Sequence, residues 1–538
     1  MTGLTNWGMN VTTFATDKQS NARPLCEADL DAGPKKVLPD LSPSRLAARA
    51  LVEGYAAPVL EGASYLEVAN RPAVNLTAHA IAYPQVSFTA ASTTPNFEGT
   101  DFGQMVAAQN LTSDEINLSN FESHGLEFYD FVAAADVFST ATTAERMSLL
   151  VLAKKHLSEK GVACIGVDVS PGWDLIEGLR ERFSADLDQT GDPKENVDII
   201  RVRVTNLAKT MSAEKAGDQR PLLAELVRLA RASDAEIYRD LLDPQHQSLS
   251  IAAFLAMADA AKLKPIGDLD SAKSNLSRIP TTTRPADASA LSTADLFGLI
   301  DQHTNVKRRQ VLLVHADRSK EEFELGGAFN SLCFTSELTR GDKSLSDKAL
   351  LSGAQVAFVG PLTYRTSNPI EIVALALMER HKYFPVRGDR LVDHVVAALK
   401  PTGIEPADSA HVSKVLLAVI EKLLPAGAMV AHLSENRAVS WLSERPVLAP
   451  LGLAQARRGD SHLASLLPHS IAVDTTARFI LSRLDGTQTV GQIADELAAA
   501  VSKGEVTLAA IEGTPEARAK ATTRRVLGHA ARSGLLVS

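Results

Sequence analysis

The alternation of apolar and polar positions divides the chain into a first stretch of short apolar runs separated by amphipathic segments, a long helical stretch, and two smaller modules. Residues 1–40 are polar and carry no clear period, which predicts an irregular arm. LSPSRLAARALVEGY (41–55) predicts a capped amphipathic helix. SYLEV, QVSFTAA, EINLSNF, YDFVAAADVF and VACIGVDV then read as strands, with AVNLTAHAIAY, DFGQMVAAQ and AERMSLLVLAKKHLSEKG as intervening helices. Strands and helices in alternation predict an α/β domain with a parallel, doubly wound sheet over 41–190. Past Trp173 the pattern becomes helical, giving a helical region over 191–273. SNLSRIPTTTRPADAS is rich in turn residues and predicts a linker over 274–290. Two modules, 291–430 and 431–538, follow with helices and short strands.

Composition narrows the classes. The chain has 538 residues, enough for several cores. It has 45% apolar residues and no apolar run long enough to span a bilayer. Its start lacks a basic segment followed by an apolar one, so nothing marks it for export and a cytoplasmic location is expected. The net charge of −9 argues against bulk nucleic-acid binding. Cys26, Cys164 and Cys333 are too scattered for a disulfide framework or a zinc site, and Cys164 reads as a buried strand residue.

The candidate chemistry begins at SYLEVANRPAVNL (64–76), an apolar strand, an acid, and a helix start. Such junctions hold cofactors in many α/β enzymes, yet Ala69, Asn70, Arg71 and Pro72 stand in the turn instead of glycines. Glu67 can be read as a cofactor contact or as a carboxylate capping the next helix. In VDVSPGW (167–173), Asp168, Pro171 and Trp173 can line a substrate mouth or form a packed strand-to-helix turn. Asp243 and His246 in LLDPQHQ fit turn chemistry better than a metal pair, and no metal site is expected. NVKRRQ (305–310) can contact an acidic partner, but a three-residue charge cluster fits solvated surface better. LDGTQTVGQIADEL resembles a winged-helix turn, but its acidic residues favour protein over DNA.

The ordered set YDFVAAADVFSTAT (129–142), RMSLLVLAKKHLSEKGVACIG and VDVSPGW resembles the bacterial class I S-adenosylmethionine-dependent methyltransferases that carry a methyltransferase regulatory domain. That group includes the rickettsial outer-membrane-protein lysine methyltransferases. EIYRDLLDPQHQSLSIAAFLAMADAAKLKPIGD, LFGLIDQHTNVKRRQVLLVH (296–315) and ARFILSRLDGTQTVGQIADEL (477–497) extend the likeness from about residue 45 to near the end. It implies a Rossmann-like methyltransferase domain, a helical regulatory region and winged-helix-like C-terminal modules.

The resemblance also implies S-adenosylmethionine as cofactor, with Glu67, Asn70, Asn75 and Asp136 as the vestiges of its site and Asp168, Pro171 and Trp173 at the substrate mouth. The family's glycines fall at Ala69, Arg71, Ala73 and Val74, and its ribose-binding acid at Ala90. Its pocket-wall residues become Ala135, Asp136, Phe138 and Thr140. Losing two or three hydrogen bonds removes on the order of 3–8 kcal/mol. A micromolar ligand is worth only about 8 kcal/mol. The expectation is therefore a methyltransferase-family protein with a degenerate cofactor site and no catalytic residue, a regulatory or scaffolding partner of an active methyltransferase paralogue or a homo-oligomer. The alternatives are an active protein methyltransferase with an atypical loop, and a winged-helix adaptor or transcriptional regulator.

Overall fold

The computed structural model describes residues 37–69, 73–93, 108–124, 126–188, 192–213, 219–276, 279–285, 291–342, 353–400, 408–508 and 513–537. Its centre is one sheet built from β1 (Ser64–Ala69), β2 (Ser87–Ser92), β3 (Leu111–Glu115), β4 (Tyr129–Ala134), β5 (Leu157–Ser170), β6 (Leu263–Asp268) and β7 (Arg308–His315). They lie in the order β3-β2-β1-β4-β5-β7-β6. The first five are parallel, and β7 runs antiparallel to both β5 and β6.

Alternation along the strands supplies two cores. Leu66, Val68, Val132, Ala134, Ile165, Val167, Val311 and Leu313 pack against α3 (Thr143–His156), α8 (Ile251–Ala260) and α9 (Thr293–Thr304). Tyr65, Phe131, Ala133, Cys164, Leu312 and Val314 face α1 (Pro43–Val52) and α2 (Ala73–Ala82). Side-chain caps fix the starts of these helices. Ser42 accepts from the Arg45 N–H ahead of α1, and Thr142 with Glu145 forms a capping box for α3.

Between α3 and α8 lie α4 (Asp174–Ser184), α5 (Pro193–Ala213), α6 (Arg220–Ala230) and α7 (Asp234–Leu241), with their own core around Trp173, Ile200, Leu226 and Ile237. After β7, β8 (Cys333–Ser336) pairs with Val386–Arg387 and Met429–His432, covered by Pro369–Arg380, Gly388–Leu399 and Ser409–Leu423. The last module packs Pro450–Arg458, Thr475–Leu481, Val490–Ser502 and Pro515–Arg532 with the hairpin His462–Ala464/Ser470–Ala472. It seats Leu451 and Ala464 on Val37 and on Ala78 of α2. Among the described residues no helix is long and apolar enough to cross a membrane.

The sequence expectation differs in three places. The sheet does not close near residue 190, because β6 and β7 from the expected regulatory region and next module complete it. β7 pairs with the free edge of β5, and β6 adds on the far side of β7. The expected linker is partly built in, with Ile279 fully buried and the Ser274 hydroxyl accepting from the Asp268 N–H at 3.0 Å. EINLSNF is not one strand: β3 ends at Glu115, and Leu118–His124 forms 3-10 turns. Most of the expected helix DFGQMVAAQ lies outside the described residues, as do residues 1–36 of the arm.

Candidate functional site

In a sheet of this kind the side chains that can act converge beyond the carboxyl ends of β1, β4 and β5. Glu67, near the end of β1, is 2% exposed and accepts a 2.8 Å hydrogen bond from the Asn75 side-chain amide of α2. Burial pushes its carboxyl up to about 8, against the pull of Asn75 and with a further push from Asp136. The Asn75 carbonyl in turn accepts from the Leu38 N–H at 2.7 Å, and the buried His79 ring meets the Leu38 carbonyl oxygen at 3.2 Å. Glu67 therefore contacts the α2 side chain, and α2 holds the segment entering α1. Asn70, with Arg71 and Pro72, lies outside the described residues.

β4 and β5 meet closely at this end. A Cβ on Gly166 would lie 2.1 Å from the Ala135 carbonyl oxygen. Arg308, the first residue of β7 and the register partner of Asp168, donates to the Ala135 carbonyl and the Asp136 carboxylate. Its guanidinium also lies 3.7 Å from Asp168 Oδ1. On the other side, Asp168 Oδ2 and His246 Nε2 are 2.9 Å apart, and the His246 ring stacks on Trp173 with centroids 4.9 Å apart. The Asp168 N–H donates to the Ser139 hydroxyl at 2.9 Å. Arg146, almost wholly buried, clamps the carbonyls of Phe138 and Ser139.

This is one continuous polar chain, Asp136–Arg308–Asp168–His246. Burial works to raise both carboxyls, but Arg308, and at Asp168 first the His246 hydrogen bond, hold them below the ordinary range. Asp136 is the open end, with its side chain 42% exposed, while Asp168 is 3% exposed.

The structure thus joins Asp136 to Asp168 and Glu67 to Asn75. Trp173 is 5% exposed and anchors the helical region, and Pro171 is half-buried beside it. Gly172 sits so close to the chain before β7 that a Cβ would meet the Val306 carbonyl oxygen at 1.9 Å. Ala90 is not at the end of β2: it pairs with Glu67, two residues before Ser92, and neither position carries a carboxylate. Asp243 makes its expected turn, accepting from the Gln245 N–H at 2.9 Å. Among the described residues no group of His, Cys, Asp and Glu is placed to hold a metal.

Sequence reasoning missed Arg308 and undervalued His246. NVKRRQ is not solvated surface: Lys307 pairs with Glu225, Arg308 with Asp136, and Arg309 with Asp268 and Asp301. The signal was the strand period of RRQVLLV, which sends neighbouring arginines to opposite faces. A cavity of about 330 Å³ lies away from the chain of charges, lined in part by Arg45, Arg49, Asp270, Lys273 and Glu337.

Residues 444–535 match the family model described as PKMT, C-terminal winged helix domain. Over 487 residues, 87% of this chain and 84% of the relative, the sequence is 20% identical to an uncharacterized protein of Rickettsia prowazekii (strain Madrid E). PKMT2 from Rickettsia typhi superposes with a TM-score of 0.81 at 16% identity, covering 94% of this chain and 100% of that one. The same protein in complex with AdoHcy gives 0.80 at 17% identity with the same coverage. The chain has the PKMT2 fold almost throughout, and its last module is of the PKMT winged-helix kind. The resemblance drawn from the sequence is borne out in the fold: the chain has a Rossmann-like sheet, helical modules and a C-terminal winged helix that matches the PKMT model.

Proposed function

We propose that this PKMT-family chain has exchanged methyl transfer for a regulatory or scaffolding role beside a catalytically intact methyltransferase. The observation that carries the reading is Arg308, whose guanidinium bridges Asp136 and Asp168 at the ends of β4 and β5. Sheets of this kind use the crevice beyond their strand ends to bind cofactors.

The described residues fit S-adenosylmethionine poorly. With its carboxyl pushed up to about 8, Glu67 is mostly neutral at pH 7 and its Oε2 is taken by Asn75. β2 offers Ala90 and Ser92 where a carboxylate would hold ribose hydroxyls. Opening the crevice would strip Arg308 from two carboxylates, one of which, Asp168, is buried, and a buried charge left short of its partner is costly. What remains large is surface: the helical region and the C-terminal modules can supply the ~800 Å² per partner that a stable interface needs.

The test is affinity purification of the tagged chain from its native cell, followed by a methyl-transfer assay with S-adenosylmethionine. The expected result is recovery with a second protein that carries the activity, while the purified chain alone is inert. A lone monomer that methylates a protein lysine would replace this reading with that of an active methyltransferase whose cofactor loop is atypical.

A further inference from the structure

We infer that the outward face of the last helix, Pro515–Arg532, is a docking face for an acidic protein segment. The inference deepens the partner reading above, resting on it only for the existence of a protein partner. The helix buries Ala519, Thr523, Leu527 and Ala530 in the module core, and its opposite side carries Lys520, Arg524, Arg525 and Arg532, all exposed. Arg525 and Arg532 are seven residues apart, two turns along the same face. The helix holds five cations, Arg518, Lys520, Arg524, Arg525 and Arg532, against one acid, Glu516, in a chain whose net charge is −9.

Several carboxylates of the module are committed elsewhere. Asp485 pairs with Arg457, Asp460 with Arg458 and Glu496 with Arg483, while Asp474 caps the helix Thr475–Leu481. Among the described residues no ion pair engages Arg524, Arg525 or Arg532. The module is attached to the sheet domain through Leu451 and Ala464, on elements other than this helix.

An acidic protein fits this face better than duplex nucleic acid. Glu516 at the start of the helix and the exposed Asp495 and Glu505 of the same module border the cationic strip, and with the net charge they oppose a long polyanion that would run past it. A short acidic segment meets only the cationic strip. Eighteen residues make a strip about 27 Å long, well short of a full interface, so the contact is salt-sensitive and orients a partner held mainly by other surfaces.

The test uses the full chain with a fluorescent oligoglutamate peptide and, separately, a fluorescent DNA duplex, read by anisotropy at about 50 and about 200 mM salt. The expected result is peptide binding that weakens with salt and falls about tenfold in Arg524→Gln/Arg525→Gln, a change of about 1.4 kcal/mol. Arg458→Gln, on a different helix of the module, should leave it unchanged. Circular dichroism confirms that the exposed substitutions keep the fold. Three results would overturn the inference: no peptide binding at low salt, equal binding by the double variant, or tighter binding to the duplex. None of them bears on whether S-adenosylmethionine binds.

Discussion

Arg308 and Arg309 are neighbours on β7 that face opposite sides of the sheet, and their surroundings differ in kind. Arg309 is wholly buried, held by Asp301 at 2.8 and 3.0 Å and by Asp268 at 3.2 Å, with its guanidinium 4.1 Å from the centre of the Phe297 ring. It ties α9 and β6 to the sheet and has no route to solvent. Arg308 is 29% exposed and bridges two carboxylates where the strands end. A closed ion pair can only stabilise or fail, whereas an open one at the strand ends takes up space and charge that a ligand would otherwise use. The first belongs to the fold; the second, in the function proposed above, limits what the crevice can accept.

The largest effect should come from breaking the closed side. Arg309→Ala strands two buried carboxylates and is expected to cost about 3–5 kcal/mol, measured by urea unfolding. Arg309→Met, which fills the volume without a charge, should cost as much while Asp268 and Asp301 remain. Burial already raises both carboxyls, so without the arginine they should take up protons, and the loss should shrink at acid pH.

Glu67→Gln comes next. The folded carboxyl is pushed up to about 8 from an ordinary 4.5, so the neutral acid favours the fold below about pH 4.5 and that contribution is lost as the pH rises through 8. The variant should match the wild type near pH 5 and exceed it near pH 9 by on the order of a few kcal/mol. A stability difference between variant and wild type that is the same at both pH values would show that Glu67 ionises freely, as a cofactor-binding carboxylate would.

Arg308→Gln should cost less than the Arg309 substitutions, about 1–3 kcal/mol, because water reaches Asp136. A cost equal to that of Arg309→Ala would erase the contrast between the two faces. The smallest effect is His246→Phe, which keeps the ring stack on Trp173 and removes the 2.9 Å contact with Asp168. A loss of about 1 kcal/mol is expected by the same measurement.

The sheet was legible where the period was clean. SYLEV, QVSFTAA, YDFVAAADVF and VACIGVDV all contribute strands, and most helices start at Ser, Thr or Asp caps visible in the sequence. The winged helix was legible from LDGTQTVGQIADEL. Sheet closure was not, because five helices separate β5 from β6 and a sixth precedes β7, and pairing across such a distance leaves no local mark. At the site, Glu67 and Asp168 were found from their place at strand ends. Their partners were not: Arg308 sat in a run of three cations whose charge hid its strand period, and His246 is 78 residues from Asp168.

A strand-end crevice occupied by the Asp136–Arg308–Asp168 bridge should hold no cofactor. Isothermal titration of the purified chain with S-adenosylmethionine and S-adenosylhomocysteine tests it most directly. No saturable heat is expected below about millimolar ligand. Low-micromolar binding of either compound would contradict it.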